Sequence, residues 1–151
     1  MPNSKFTASY KDGKILKLET ALCYDKETNE YYFYLYHNKC LFKKKRIGYI
    51  QFRIIYGDLS FEKLNISSAI KIWHNSIDKQ YRGYQLGKTM MNMLCETISE
   101  STDLPHTIIA CPAGETPVPG LYVFYMKAGF KYVDEQETIP TVTNVPMYRR
   151  V

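Results

Sequence analysis

The N-terminal half of the chain alternates hydrophobic and polar residues, a pattern that predicts β-strands with one buried face. A turn signal at Asp12-Gly13 precedes an alternating run over residues 14–22, and a polar turn separates that run from an aromatic run over residues 31–37. Together the two runs predict a β-hairpin. Residues 46–56 predict a third strand and residues 69–77 a fourth, while residues 59–67 have an ambiguous pattern.

Helical spacing begins after Gly83. A stripe of mostly apolar residues recurs every three or four positions, as on the core-facing side of a helix; its members are Leu86, Met90, Met93, Leu94, Thr97 and Ile98. A second amphipathic helix is predicted from Leu121, Phe124, Tyr125 and Ala128. Gly129 then fits the left-handed residue that ends many helices.

Further strands are predicted between and after these helices. Residues 107–111 are a short run of β-formers that predicts a central fifth strand, and residues 112–120 are loop-like. Residues 130–133 begin another strand, for which residues 145–150 provide an antiparallel partner. The scheme is an α+β sheet with at least two helices, without repeats or linkers, in a single domain over residues 1–151.

Composition narrows the class of protein. The 151 residues are 45% hydrophobic and 15% aromatic, enough for one globular domain with a sizeable core. No apolar stretch approaches the roughly 20 residues of a membrane span. The first residues, Met-Pro-Asn-Ser-Lys, lack the apolar core of a secretory signal, so we expect a cytoplasmic protein without a membrane partner.

Charge and cysteine usage add weaker constraints. The formal net charge of +5 suits an anionic coenzyme but is too small to favour nucleic acid as a partner. The basic cluster at residues 43–46 is interpreted as a solvated turn instead of a binding patch. The four cysteines form no CxxC pair, and the three histidines complete no zinc spacing, so we expect reduced thiols and no metal.

The strongest chemical signal is a glycine-containing segment between the predicted fourth strand and the first helix. It reads Ile77-Asp78-Lys79-Gln80-Tyr81-Arg82-Gly83-Tyr84-Gln85-Leu86-Gly87-Lys88. The N–H groups at a helix N-terminus have no partner inside the helix, and the peptide dipoles place partial positive charge there. A strand, a glycine loop and a helix in this order therefore predict a diphosphate site.

Two common phosphate loops do not fit this segment. A P-loop has four residues between its first glycine and the Gly-Lys pair, whereas Gly83 and Gly87 are separated by three. The dinucleotide fingerprint GxGxxG is also absent, because Gly83 is followed by Tyr84, Gln85 and Leu86.

A third pattern fits better: an apolar strand end, a few polar residues, then Arg-Gly-x-Gly-x-Gly/Ala running into a helix. Residues 82–87 match it, except that Gln85 stands where the middle glycine is usual. Residues 121–130 contain a second block, Phe-Tyr-x-x-x-Gly-Phe, in the predicted late helix. In this order, the two blocks resemble the GCN5-related N-acetyltransferase (GNAT) superfamily, over roughly residues 69–133.

The resemblance implies a mixed, mainly antiparallel twisted sheet of about six or seven strands with helices on its faces. Its fourth and fifth strands are expected to splay apart, which opens a cleft for acetyl-CoA, the co-substrate of the family. The family usually has two helices between its first and second strands. No strong helical stripe marks them here, so either that region is shortened or its tyrosine-rich pattern hides them.

The resemblance also assigns coenzyme-binding residues. The pantetheine arm would pair with the end of the fourth strand at Asn75, Ser76 and Ile77. The diphosphate would rest on main-chain N–H groups, which belong to Arg82, Gly83, Tyr84, Gln85, Gly87 and Lys88. The side chains of Arg82 and Lys88 either add a charged contact or face solvent.

Tyr125 matches the tyrosine that the family uses as a general acid toward the CoA thiolate. His74 on the fourth strand is the candidate general base, although a packed or hydrogen-bonded strand histidine is the more ordinary interpretation. Glu115, in the loop after the fifth strand, is an alternative base. Cys111 needs no nucleophilic role, because the family transfers the acetyl group directly.

The function expected from the resemblance is acetyl transfer from acetyl-CoA to a primary amine by direct attack in a ternary complex. The acceptor would be an amine-bearing small molecule or a protein, and the enzyme a monomer or a homodimer. One alternative is a catalytically silent module that binds acyl-CoA. The other is a toxin that acetylates aminoacyl-tRNA, a known branch of the superfamily.

Overall fold

A computed structural model of the chain describes residues 4–9, 14–40, 43–83, 85–114 and 117–151. Its strands are β1 (Ser4–Ser9), β2 (Ile15–Asp25), β3 (Glu30–Cys40), β4 (Lys43–Ile55), β5 (Ala69–Ile77), β6 (Thr107–Ala110), β7 (Lys131–Tyr132) and β8 (Met147–Arg150). Its helices are α1 (Phe61–Leu64), α2 (Leu86–Glu100) and α3 (Val118–Lys127), with a 3₁₀ helix at Lys79–Tyr81. None of the described helices is long and apolar enough to cross a membrane.

The described strands form an eight-stranded mixed sheet in the order β1-β2-β3-β4-β5-β6-β8-β7. β5 and β6 are parallel, and the other recorded pairs are antiparallel. This confirms the predicted mainly antiparallel α+β sheet, with β1 as one strand more than predicted. The residues group into two compact units, Met1–Phe52 with His74–Leu94 and Arg53–Trp73 with Cys95–Val151. The single domain over residues 1–151 stays a prediction.

The first unit is built on an antiparallel meander from β1 to β4. Alternate side chains are buried in part of each strand, at Leu16, Leu18 and Thr20 of β2 and at Phe33 and Leu35 of β3. The chain passes between these strands in a four-residue turn at residues 26–29. Residues 14–40 contain no helix, so the pair of helices usual in the resembled family is absent from this described stretch. The region is shortened, and its tyrosine-rich pattern hides no helix.

The basic cluster at residues 43–46 lies in β4, so its interpretation as a turn is wrong. Its cations lie near aromatic rings: Lys44 Nζ is 4.4 Å from the centroid of Tyr36, and Arg46 Cζ is 5.0 Å from that of Tyr34. Long basic side chains cover apolar surface with their stems while the charge stays near water. A run of lysines can therefore continue a strand when tyrosines line its neighbour.

A β-bulge interrupts β4 next to β5. Leu35 pairs with Gly48 but Tyr36 pairs with Arg46, which leaves Ile47 as the extra residue of β4. A Cβ added at Gly48 would lie 2.6 Å from Cδ1 of Ile77 and 2.9 Å from the carbonyl oxygen of Ser76. Glycine at this position therefore permits the close approach of the end of β5.

The strands of the second unit include the parallel pair β5 and β6. Ile70, Lys71 and Ile72 of β5 pair with Ile108, Ile109 and Ala110 of β6, and β8 pairs with the other edge of β6. β5 continues for five residues beyond its last pair with β6, in agreement with the predicted splay after a short ladder. Phe61 and Leu64 of α1 pack with Ala69 and Ile109 in one buried cluster.

Helix α3 is fixed at its C-terminus by β8. Gly129 has φ of +85°, which confirms the predicted left-handed residue, and Nη1 of Arg149 donates to the carbonyl of Ala128 at 2.6 Å. The fully buried Tyr122 donates its hydroxyl to the carbonyl of Val142 at 2.5 Å and accepts from the N–H of Val145 at 3.2 Å. The long connection before β8 is thus tied to the same helix.

Candidate active site

The loop from β5 to α2, residues 78–85, begins at the end of β5, next to the bulge in β4. Asn75 at the end of β5 is exposed, while Ser76 and Ile77 are half-buried. The N–H of Asp78 donates to the carbonyl of Ile47, the bulge residue, at 2.7 Å. The bulge therefore supplies an acceptor that fixes the point where the chain leaves the sheet.

The 3₁₀ helix then closes the first turn of the loop. The N–H of Tyr81 donates to the carbonyl of Asp78 at 2.8 Å, and the N–H of Arg82 donates to that of Lys79 at 3.2 Å. The guanidinium Nε of Arg82 donates back to the carbonyl of Ile77 at 2.9 Å. The predicted main-chain donor at Arg82 thus already has an acceptor, and its side chain braces the turn.

The following residues adopt left-handed conformations. Gly83 has φ of +85° and Gln85 has φ of +60°, while Tyr84 lies outside the described residues. Glycine reaches this region without the steric penalty that other L-residues meet. Gln85, at the position of the usual middle glycine, therefore has the backbone conformation that glycine adopts easily.

Helix α2 starts directly after Gln85. The N–H of Thr89 donates to the carbonyl of Gln85 at 3.1 Å, so the N–H groups of Leu86, Gly87 and Lys88 precede the first intrahelical bond of this kind. Gly87 lies within the helix and is not among the glycines of positive φ. A left-handed backbone conformation therefore does not explain glycine at position 87.

The surface around the loop is open and carries both signs of charge. A Cβ built at Gly83 would meet nothing within 4 Å, so a ligand can approach its backbone. Arg82 is exposed and Lys88 is half-buried. A shallow depression of about 520 Å³ is lined by Asp78, Lys79 and Gln80. The carboxylate of Asp78 and the ammonium of Lys79 therefore both border this depression.

Replacing Gln85 with glycine should stabilise the protein. A non-glycine residue in the left-handed region costs about 1–3 kcal/mol, and the flexibility that glycine adds to the unfolded chain offsets about 0.4–1 kcal/mol of that. We expect Gln85→Gly to raise the free energy of unfolding by about 1 kcal/mol in urea titrations.

Asn65→Gly is the matched control for this change, because Asn65 has φ of +54° but asparagine tolerates this region better than glutamine. Its gain should be the smaller of the two. A loss of stability in Gln85→Gly would show that the glutamine side chain makes a favourable interaction that outweighs the backbone strain.

The two candidate catalytic residues lie in different environments. His74 is exposed on β5. Tyr125, on α3, is 6% exposed, and its ring meets Phe124 and Phe130 edge-on at 5.2 and 5.1 Å between centroids. Glu115 lies outside the described residues. The roles of His74 and Tyr125 stay predictions.

Cys111 lies near an ion pair of the second unit. Asp58 and Lys71 approach to 3.1 Å, both largely buried. Burial alone would raise the pKa of Asp58, but hydrogen bonds from Ser60 and Lys71 outweigh it and lower that pKa. Burial raises the pKa of the Cys111 thiol although Lys71 acts to lower it, so the cysteine is poorly suited to be a nucleophile.

Sequence reasoning missed two contributors to the loop. Gly48 carried only the weak signal of an isolated glycine in a strand, which can mark a close backbone approach. The second contributor is a side-chain contact between His37 and Tyr81, whose Nδ1 and Oη atoms lie 2.8 Å apart. These residues are 44 positions apart in the chain, and no local pattern connects them.

No protein-family model matches the sequence, and no curated protein matches it. Solved structures do match. The chain is similar to an insect putative arylalkylamine N-acetyltransferase 7 from the yellow fever mosquito, with a TM-score of 0.67 and 7% identity over 99% of this chain and 93% of that one.

Two further solved structures are similar at lower coverage. An acetyltransferase of the GNAT family from Staphylococcus aureus Mu50 has a TM-score of 0.52 and 18% identity, over 82% of this chain and 69% of that one. AtaTR bound with AcCoA has a TM-score of 0.56 and 15% identity, over 83% and 69%. The resemblance seen in two short sequence blocks is thus confirmed for nearly the whole chain at the level of architecture, and the protein has the GNAT fold.

Proposed function

We propose that the protein is an acetyl-CoA-dependent N-acetyltransferase that transfers the acetyl group to a primary amine by direct attack in a ternary complex. The observation that carries this proposal is the conformation of the β5–α2 loop. Two left-handed residues, Gly83 and Gln85, turn the chain so that it enters α2 directly. The first N–H groups of that helix are then available to an anion, which the positive end of the helix dipole favours at this position.

The proposed contacts with the coenzyme are made mainly by main-chain groups. Gly83, Gln85, Gly87 and Lys88 are the proposed main-chain donors to the diphosphate, with Tyr84 as a further one outside the described residues. For Arg82, whose N–H already has an acceptor, the guanidinium is the better candidate for a contact. Main-chain groups of Asn75, Ser76 and Ile77 are proposed to pair with the pantetheine arm, as an added strand does.

Acetyl-CoA would supply an activated thioester. The protein then has to position the acceptor amine, remove a proton from its ammonium form and protonate the departing thiolate. Holding the amine next to the acyl group accounts for much of the acceleration. His74, with its exposed imidazole, is the proposed acceptor of the proton from the ammonium, directly or through water. The Tyr125 hydroxyl is the proposed proton donor to the departing sulfur.

The acceptor is proposed to be an amine-bearing small molecule or a protein. The similar mosquito protein is named a putative arylalkylamine N-acetyltransferase, which supports an amine in general and identifies none for this chain. A cytoplasmic location and a monomeric or homodimeric state are likewise proposed.

A silent acyl-CoA-binding module is the second candidate. The observation that favours it is Gln85, which carries a side chain and backbone strain at a position where glycine is usual. The tRNA-directed toxin would need free cations near the cleft. Lys44 and Arg46 lie against tyrosine rings of β3, and Lys45 lies beside the ring of Tyr81 in the β5–α2 loop, which is weak support for that alternative.

Acetyl-CoA should stabilise the protein against heat. A ligand at about 100 times its Kd adds about 2.7 kcal/mol to the folded state, which for a chain of this size corresponds to a rise in Tm of about 5–10 °C. Differential scanning fluorimetry with acetyl-CoA, ATP and NAD in parallel measures this shift.

The proposal expects the rise with acetyl-CoA and not with the two nucleotides. An equal rise with ATP would indicate a general phosphate site, and no rise at millimolar acetyl-CoA would contradict coenzyme binding. Binding without acetylation of any amine would favour the silent module.

A further inference from the structure

Tyr81 joins the β5–α2 loop to the sheet of the first unit. It is the last residue of the 3₁₀ helix, directly before Arg82 and Gly83, and it is only 7% exposed. Its hydroxyl lies 2.8 Å from Nδ1 of His37 on β3, and the two rings meet edge-on at 5.7 Å. Lys45 Nζ on β4 lies 5.6 Å from the centroid of the Tyr81 ring.

The two residues that contact Tyr81, His37 and Lys45, lie on neighbouring strands. His37 and Lys45 are opposite each other in the β3–β4 ladder, so the tyrosine rests on one cross-strand pair. The N–H of Asp78 is bound to Ile47 of the same strand, β4. The turn is therefore held to the meander at its start through Asp78 and at its end through Tyr81.

We propose that Tyr81 and His37 are positioning residues for coenzyme binding, because their hydrogen bond fixes the turn from which the diphosphate-binding N–H groups continue. This inference rests on the proposed function. The strained backbone at Gln85 follows four residues after Tyr81, and such a conformation persists only where its surroundings determine it. A loop that is ordered before binding loses less conformational entropy when the ligand arrives.

The charges around the pair are consistent with a neutral hydrogen bond. Burial lowers the pKa of His37, and the positive charges of Lys39 and Lys45 lower it further. Burial raises the pKa of the Tyr81 hydroxyl, and the negative charge of Asp78 adds to this. At pH 7 the Tyr81 hydroxyl therefore keeps its proton and the His37 imidazole is uncharged, so the hydrogen bond between them is neutral.

Calorimetric titration with CoA tests the inference on four variants. Tyr81→Phe and His37→Leu should each raise the Kd for CoA about fivefold, as expected for the loss of one hydrogen bond. The double variant should be no weaker than the weaker single variant, because both changes remove the same interaction. His37→Asn should bind within about twofold of the wild type, because its side-chain amide can place a polar atom near the position of Nδ1.

Thermal unfolding of the free variants separates positioning from general stability. A purely structural role would lower Tm while the Kd of the folded protein stays the same, and an unchanged Kd in Tyr81→Phe would overturn the inference. Additive losses in the double variant, or no rescue by His37→Asn, would also overturn it. If the wild type itself does not bind CoA, the proposed function fails together with the inference, a result distinct from these.

Discussion

Replacing Tyr125 with phenylalanine is expected to lower acetyl-transfer turnover about 100-fold or more and to leave the affinity for CoA within about twofold. A positioned general acid contributes about 10²–10⁴ to rate, and this change removes the proposed proton donor. Phenylalanine keeps the ring that packs against Phe124 and Phe130, so the fold should be retained. Thiol release from acetyl-CoA measures turnover, with tyramine, spermidine and a peptide with a free N-terminus as acceptors.

Tyr132→Phe is the matched control. It makes the same chemical change in the same unit, and the recorded contact of its hydroxyl is a weak one to the sulfur of Met126 at 3.5 Å. Its turnover should equal that of the wild type. Unchanged turnover in Tyr125→Phe would remove Tyr125 from the mechanism, and an equal fall in both variants would indicate a general effect of the lost hydroxyl.

Gly48→Ala should destabilise the protein by about 1–3 kcal/mol, the usual range for an added group in a filled space. The new Cβ would lie 2.6 Å from Cδ1 of Ile77, which can rotate, and 2.9 Å from the carbonyl oxygen of Ser76, which can move only with the backbone of β5. Because Ser76 and Ile77 are proposed to pair with pantetheine, affinity for CoA should fall as well. Urea unfolding measures the first effect and calorimetry the second.

Gly57→Ala tests whether the effect is specific to the site. A Cβ at Gly57 would meet nothing within 4 Å, and its φ is not positive, so the same substitution should change stability by less than about 0.5 kcal/mol. Equal stability in the Gly48 and Gly57 variants would mean that β5 adjusts freely, and the argument that Gly48 shapes the strand end would then be wrong.

Periodicity predicted α2, α3 and most strands, because those segments bury one face, whereas α1 lies in the segment whose pattern was ambiguous. Periodicity did not predict the strand segments that consist mostly of polar residues. No strand was predicted over β1 (Ser4–Ser9), and β4 begins at Lys43, three residues earlier than predicted. The run that contains Lys44 and Arg46 predicts a turn, because the local sequence does not show that tyrosine rings of β3 lie beside these cations. Helix α3 begins at Val118 within a predicted loop, with a proline in its first turn, where proline is tolerated.

The loop sequence predicted its own geometry in part. Helix α2 begins where the helical stripe begins, and Gly83 before it has a left-handed conformation that glycine adopts readily. The internal acceptor of the Arg82 N–H could not be predicted, because it depends on the 3₁₀ helix. The contact of His37 with Tyr81 depends on the register of β3 and β4, which a single sequence does not specify beyond the hydrophobic pattern.

The arginine that closes α3 has a wider consequence. Because Arg149 belongs to a different element, the last turn of this helix cannot fray unless its link to β8 is broken. Its positive charge also interacts favourably with the negative end of the helix dipole. The helical turn that carries Tyr125 is therefore held in part by a residue 24 positions downstream, so we expect substitutions at Arg149 to affect this turn although they lie far away in sequence.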